Sequence, residues 1–215
     1  MKRVRNLIPL KAVVLLLVCA ASLPAQLGRR PAKDYIPLLE DPGRLERLNV
    51  DRVIATLQLE PGDVVADVGA GSGVFTRRLA KAVAPGGRVY AVDIDQELLD
   101  YNRSQIEAAY LKNTEFIRGD FDDPKLPAGA IDLVFICDVV HHIEHRQAYL
   151  SKLRESLKPG GRVAIIDYKT NWPPGHESMQ YTVDQLLEWM RVAGFKKIQE
   201  HDLVPNAFFY FFSPR

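Results

Sequence analysis

Four aspartates and two adjacent histidines are the side chains of this sequence best placed to do chemistry, and all stand at or near the ends of apolar runs. Asp67 leads into Gly69-Ala70-Gly71-Ser72-Gly73. The three glycines remove side chains where the backbone must turn tightly and approach something closely. Before the turn, Val64, Val65, Ala66 and Val68 suit a strand covered on both faces. After it, Val74, Leu79 and Val83, with Phe75 alongside, have helical spacing. A carboxylate at a strand exit beside a glycine turn stands where open α/β sheets bind ligands; the same turn also occurs without a ligand. The dinucleotide fingerprint G-x-G-x-x-G/A fails in both registers, because Val74 and Thr76 stand at the third small position. The phosphate loop fails too, since no Gly-Lys-Ser/Thr follows.

Asp93 closes the run Arg88 to Asp93, 20 residues past Gly73. A carboxylate there can accept hydrogen bonds from both hydroxyls of a ribose; an ordinary strand-end Asp is the other reading. Asp95 reads as a helix N-cap, and Ile94 between them could pack on a ring. Gly119-Asp120-Phe121 closes a third run. Asp138 follows the apolar run Ile131 to Cys137, and His141-His142 come next. Two histidines there could serve as a general base or cap the following helix. Metal ligation would need more ligands in place, and a set built on Asp138, Asp167 and Asn171 lacks an adjacent Asp-Asn pair, so no metal is expected.

The elements that must position these groups alternate. Residues 26–42, with Pro31, Pro37 and Pro42, read as an irregular arm, and Gly43 to Leu57 as a helix. Strands are predicted at Val64–Val68, Arg88–Asp93, Thr114–Arg118, Ile131–Cys137 and Arg162–Asp167. Helices are predicted at Asp95–Lys112, Ile143–Leu157 and from Thr182, where Gln185 completes a capping box and Gly194 a C-cap. Alternation of this kind makes a parallel sheet with helices on both faces. Lys197–Val204 and Ala207–Ser213 are separated only by Pro205-Asn206, too short for a parallel crossover, so they pair antiparallel. Phe208 to Phe212 is too apolar for an exposed edge and fits a strand inserted within the sheet.

D-x-G-x-G-x-G at Asp67–Gly73 resembles motif I of the class I S-adenosylmethionine (SAM) methyltransferases. Leu157-Lys158-Pro159-Gly160-Gly161 resembles the family's turn before strand five, Asp132 its structural strand-four signature, and Val140-His141-His142-Ile143 the loop of its small-molecule members. The similarity runs from Leu59 to the C-terminus and is closest to the ubiquinone/menaquinone-biosynthesis type. It implies a Rossmann-like, seven-stranded, mostly parallel sheet closed by an antiparallel hairpin. It also implies SAM as cofactor, a small-molecule acceptor, and a cofactor site made of Asp67, Gly69, Gly71, Gly73, Asp93, Ile94, Asp120, Phe121 and Asp138. In that family the Asp120 carboxylate takes the adenine amino group and the backbone of Asp138 borders the methionine part. A non-catalytic SAM-binding module and a nicotinamide oxidoreductase are the rival readings.

With 47% hydrophobic and 26% charged residues among 215, the chain is an ordinary globular protein. A net charge of +1, without a basic run past the N-terminus, excludes the footprint of a nucleic-acid binder. No Asn/Asp-Pro-Pro-Tyr follows strand four, which disfavours methylation of nucleic-acid amino groups, and two cysteines are too few for an arsenite methyltransferase. Lys2, Arg3, Arg5 and Lys11 precede an apolar run from Ala12 to Ala21, then Leu23-Pro24-Ala25. That order is a secretory signal, with cleavage after Ala25 or Ala21, and the run is short of the ~20 residues of a membrane span. The organisation expected is a signal or anchor at 1–25, an arm and helix at 26–58, and the methyltransferase domain at 59–215. Export to the periplasm or outside follows, with anchored and cytoplasmic forms as alternatives. Oligomeric state is not legible.

Overall fold

A computed structural model describes residues 31–215; the stretch read as an export signal lies outside the described residues. Seven strands form one sheet: β1 (Val64–Val68), β2 (Arg88–Asp93), β3 (Thr114–Arg118), β4 (Ile131–Cys137), β5 (Leu157–Tyr168), β6 (Phe195–His201) and β7 (Ala207–Pro214). Their order is β3-β2-β1-β4-β5-β7-β6. β1 to β5 run parallel, while β7 pairs antiparallel with both β5 and β6. The expected architecture, including the inserted last strand, is the one observed.

Alternation along each strand feeds two cores. On one face Ala66, Val134, Ile136, Val163, Ile165, Phe208, Tyr210 and Phe212 pack with Leu150 and Leu153 of α6 (Arg146–Ser156) and with Leu186 and Met190 of α7 (Val183–Val192). On the other face Val65, Leu133, Phe135, Ala164, Ile166, Phe209 and Phe211 pack with Val53 of α3 (Val50–Thr56) and Leu79 of α4 (Val74–Ala82). The aromatic run of β7 is therefore buried on both sides, and the edge falls to β6, whose Lys196, Lys197 and Glu200 suit an exposed border. Asp132 accepts from the Val64 N–H (2.8 Å) and from Lys158 Nζ (2.6 Å), tying β1 and β5 to the start of β4. Among the described residues no helix is long and apolar enough to cross a membrane.

Four local expectations are corrected. Residues 32–39 form a helix, α1 (Ala32–Leu39), not an irregular arm. Pro31 immediately precedes it and Pro42 is the first residue of α2 (Pro42–Leu48), positions that need no amide hydrogen. The helix expected over 43–57 breaks at Asn49, which adopts the left-handed conformation (φ 50°) between α2 and α3. The break lets Leu48, Val50 and Val53 all reach the core. The helix expected from Ile143 starts at Arg146, because Val140–His142 form a 3-10 turn instead. The Lys158–Gly161 turn lies inside β5 as a bulge, the pairing jumping from Ile131↔Leu157 to Leu133↔Arg162. α5 (Gln96–Ala108) begins as expected on the Asp95 cap, and the Thr182–Gln185 capping box is present.

Candidate functional site

A cavity of ≈ 310 Å³ opens where β1, β4 and β5 end, at the small end of the ~300–1,000 Å³ typical of ligand sites. Its floor is the glycine turn. Gly69 (φ 74°), Gly71 (φ 51°) and Gly73 (φ 85°) all hold the left-handed backbone that favours glycine. A β-carbon at Gly69 would lie 2.1 Å from Val139 Cγ2, and one at Gly73 would lie 2.1 Å from Asn102 Oδ1. Gly69→Ala is therefore expected to lower stability by about 1–3 kcal/mol, through backbone strain and displacement of Val139. Thermal unfolding and SAM titration of that variant measure both consequences.

Asp67 stands at the cavity wall, 3% exposed. The Thr76 hydroxyl donates to its Oδ2 at 2.6 Å, and Asn102 Nδ2 donates to that hydroxyl at 3.0 Å. Burial pushes the Asp67 carboxyl up to about 7, opposed by the Thr76 bond and reinforced by Asp93. Asp93 Oδ2 accepts the Gly71 N–H (2.8 Å) and Oδ1 the Asp95 N–H (3.0 Å), so this carboxylate also fixes the glycine turn. Burial raises its pKa as well.

Asp138 lines the cavity in a left-handed conformation (φ 58°) and pairs with Arg44 at 2.9 Å. Arg44 also donates to the Leu39 carbonyl, so one guanidinium ties α1 and α2 to the end of β4. Tyr35 and Leu39 of α1 thereby cover the cavity.

His141 is buried with Nδ1 2.7 Å from Asp167 Oδ1. The backbone N–H groups of His141 and Tyr168 and the hydroxyl of Tyr181 donate to the same carboxylate. With those donors in place Asp167 acts as acceptor, which assigns a hydrogen to His141 Nδ1 and leaves Nε2 as the ring nitrogen not bonded to the carboxylate. His142 differs. Burial first, then His141, His176 and Arg146, pull its pKa down to about 3, too low for a general base at neutral pH. Neither histidine caps α6.

The cavity thus gathers Asp67, Gly69, Gly71, Asp138, His141 and His142. Gly73 lies behind it as the N-cap of α4, and Asp93 reaches it through Gly71. Ile94, Asp120 and Phe121 lie outside its lining; Asp120 is exposed and paired with Lys125 at 2.8 Å, and Phe121 is 45% exposed. Sequence reasoning missed Arg44 and the hold of Asp167 on His141; it makes the Asn171–Tyr181 segment a candidate to shape the pocket but does not single out His176 within it. Asp167 carried the signal used for the other aspartates, a carboxylate at a strand end.

A family model described as a methyltransferase domain matches residues 65–161. That segment runs from β1 through the β4 loop to the β5 bulge and contains every aspartate discussed above except Asp167. The ubiquinone/menaquinone biosynthesis C-methyltransferase UbiE of Burkholderia vietnamiensis is 29% identical over 137 residues, covering 64% of this chain. A SAM-dependent methyltransferase from Aquifex aeolicus superposes with a TM-score of 0.77 at 26% identity, over 86% of this chain and 98% of that one. Residues 65–161 thus match a methyltransferase domain, carried on a fold shared with a SAM-dependent methyltransferase. The chain's match spans only 56% of the length of the UbiE relative. The methyltransferase fold also occurs in the [4+2]-cyclase SpnF (TM-score 0.65, 20% identity, 76% of this chain and 62% of that one), so the fold by itself does not fix a reaction.

Proposed function

We propose that the chain moves the methyl group of SAM to a small-molecule acceptor held above the ends of β1, β4 and β5. The observation that carries this reading is Asp67: a buried carboxylate in a cavity wall, bonded to one neutral hydroxyl and to no cation among the described residues. SAM, when bound, supplies a cationic ligand carrying an electrophilic methyl. Asp67 neutralises the ligand's ammonium. Asp93 takes the ribose hydroxyls while its bond to Gly71 keeps the turn in shape. The Gly119 N–H donates to the Asp93 carbonyl, which sets Asp120 and Phe121 beside Asp93 for the adenine, with Ile94 against the ring. Asp138, fixed by Arg44, borders the methionine part.

For the acceptor, Tyr35, Phe75 and Tyr168 supply flat apolar walls that suit a ring, and His141 Nε2 supplies a lone pair for the hydrogen of the atom to be methylated. His142 has no proton-removing role in this scheme. α1 and Pro173 narrow the opening, which restricts water and large acceptors. Incubation with SAM and a panel of small ring acceptors, read as S-adenosylhomocysteine release, tests the proposal. Acceptor-dependent release is expected. SAM binding without release from any acceptor would favour a non-catalytic module.

We also propose that the protein acts outside the cytoplasm, with residues 1–25 removed. The order of positive, apolar and small residues supports this. Cleavage would take four cations and no acid, moving the formal charge from +1 to −3. Cell fractionation of a C-terminally tagged chain should find a shortened form beyond the inner membrane; full-length protein confined to the cytosol would overturn the export reading.

A further inference from the structure

The segment between β5 and α7 brings a third histidine, His176, to the cavity that His141 and His142 line. One ring nitrogen from each lies within 4.8 Å of one from each of the others. The ring centroids are 4.0 Å apart for His141–His142, 5.2 Å for His141–His176 and 5.6 Å for His142–His176. We propose that His141, His142 and His176 hold a divalent metal ion of the zinc type, with its open position facing the cavity.

Four features carry this. Three imidazoles with an open fourth position are a recognised donor set for zinc in catalytic sites, and imidazole suits late first-row ions. The Asp167 carboxylate on His141 Nδ1 is the outer partner that orients a metal-binding histidine and directs Nε2 outward. His142 Nδ1 is buried and has no hydrogen-bond partner, an arrangement that costs about 1–3 kcal/mol unless something satisfies it. Trp172 and Tyr168 stand edge-on to His141 at 5.5 and 5.8 Å, an apolar shell that limits water. Zinc–nitrogen bonds of about 2.0–2.1 Å place tetrahedral ligand atoms about 3.3 Å apart. Binding therefore draws the cluster together by up to about 1.5 Å, and His176, half-buried between the exposed Gly175 and Glu177, is the member free to travel.

The inference shares the acceptor pocket of the proposed function and would replace the base role given there to His141, but it leaves the methyl-donor site untouched, so SAM binding and metal binding can fail independently. With metal bound, His141 Nε2 is committed to the ion, and a hydroxyl or thiol at the open position loses its proton to solvent by coordination.

Untagged full-length protein, stripped with chelator, is titrated with Zn2+ by calorimetry and with Co2+ by absorption. The expected result is one equivalent of Zn2+ and the visible bands of tetrahedral Co2+. His176→Ala should weaken Zn2+ binding at least ~10-fold and remove the bands. His145→Ala, at an exposed histidine outside the cluster, should change neither. No saturable Zn2+ binding, or binding that His176→Ala leaves intact, overturns the site. SAM titration of the same stripped sample reads the methyl-donor site apart from the metal.

Discussion

Asp67→Asn is expected to abolish most SAM binding while making the ligand-free protein more stable. In the free protein burial holds the Asp67 carboxyl near 7, against an ordinary 3.8. Above pH 7 the folded chain carries a buried charge whose ionisation costs on the order of 4 kcal/mol. The unfolded chain ionises near 3.8, so this cost begins to accrue as pH rises past about 4 and is complete above 7. Asn keeps the volume and an oxygen for Thr76 but carries no charge. The stability difference between variant and wild type should therefore be near zero at pH 4 and largest at pH 8, as denaturant unfolding at several pH values would show. SAM binding runs the other way. The wild-type affinity should rise between pH 6 and 8 as Asp67 ionises to meet the ligand's ammonium, and the variant should be weak throughout. A destabilised Asp67→Asn protein, or one that binds SAM normally, contradicts this role.

Asp93→Ala should cut SAM affinity by ~100-fold or more and also lower stability. Two backbone N–H groups, of Gly71 and Asp95, lose a carboxylate acceptor. Each bond to a charged group contributes about 1.5–3 kcal/mol, and the ribose hydroxyls lose their partner as well. The opposite signs expected for stability at Asp67 and Asp93 distinguish a carboxylate that waits for a cation from one that also braces the turn. Calorimetric SAM titration with parallel thermal melts tests both. Unchanged affinity in Asp93→Ala removes that residue from the site.

Much of this was legible in the sequence because it is local. Apolar runs between turn residues marked β1 to β5, helical spacing and a capping box marked α7, and the five-residue aromatic run of β7 declared an inserted strand by being too apolar for an edge. The errors were also local in kind. Pro31 and Pro42 looked like helix breakers but sit at helix starts, and Asn49 breaks a helix without changing its apolar spacing. What stayed hidden depends on distant partners. Arg44 meets Asp138 across 94 positions, and nothing around Arg44 marks it as anything but a surface cation. His176 lies in a proline-rich segment with no periodicity, and only the folded chain sets it beside His141. The two adjacent histidines looked equivalent, yet Asp167 holds one by its Nδ1 while burial silences the other.

Titration of the purified chain with SAM and, separately, with NADH bears most directly on the cofactor assignment. One equivalent of SAM should bind saturably, with S-adenosylhomocysteine competing and NADH showing no saturable heat. Tight NADH binding without SAM binding would contradict the account at its centre.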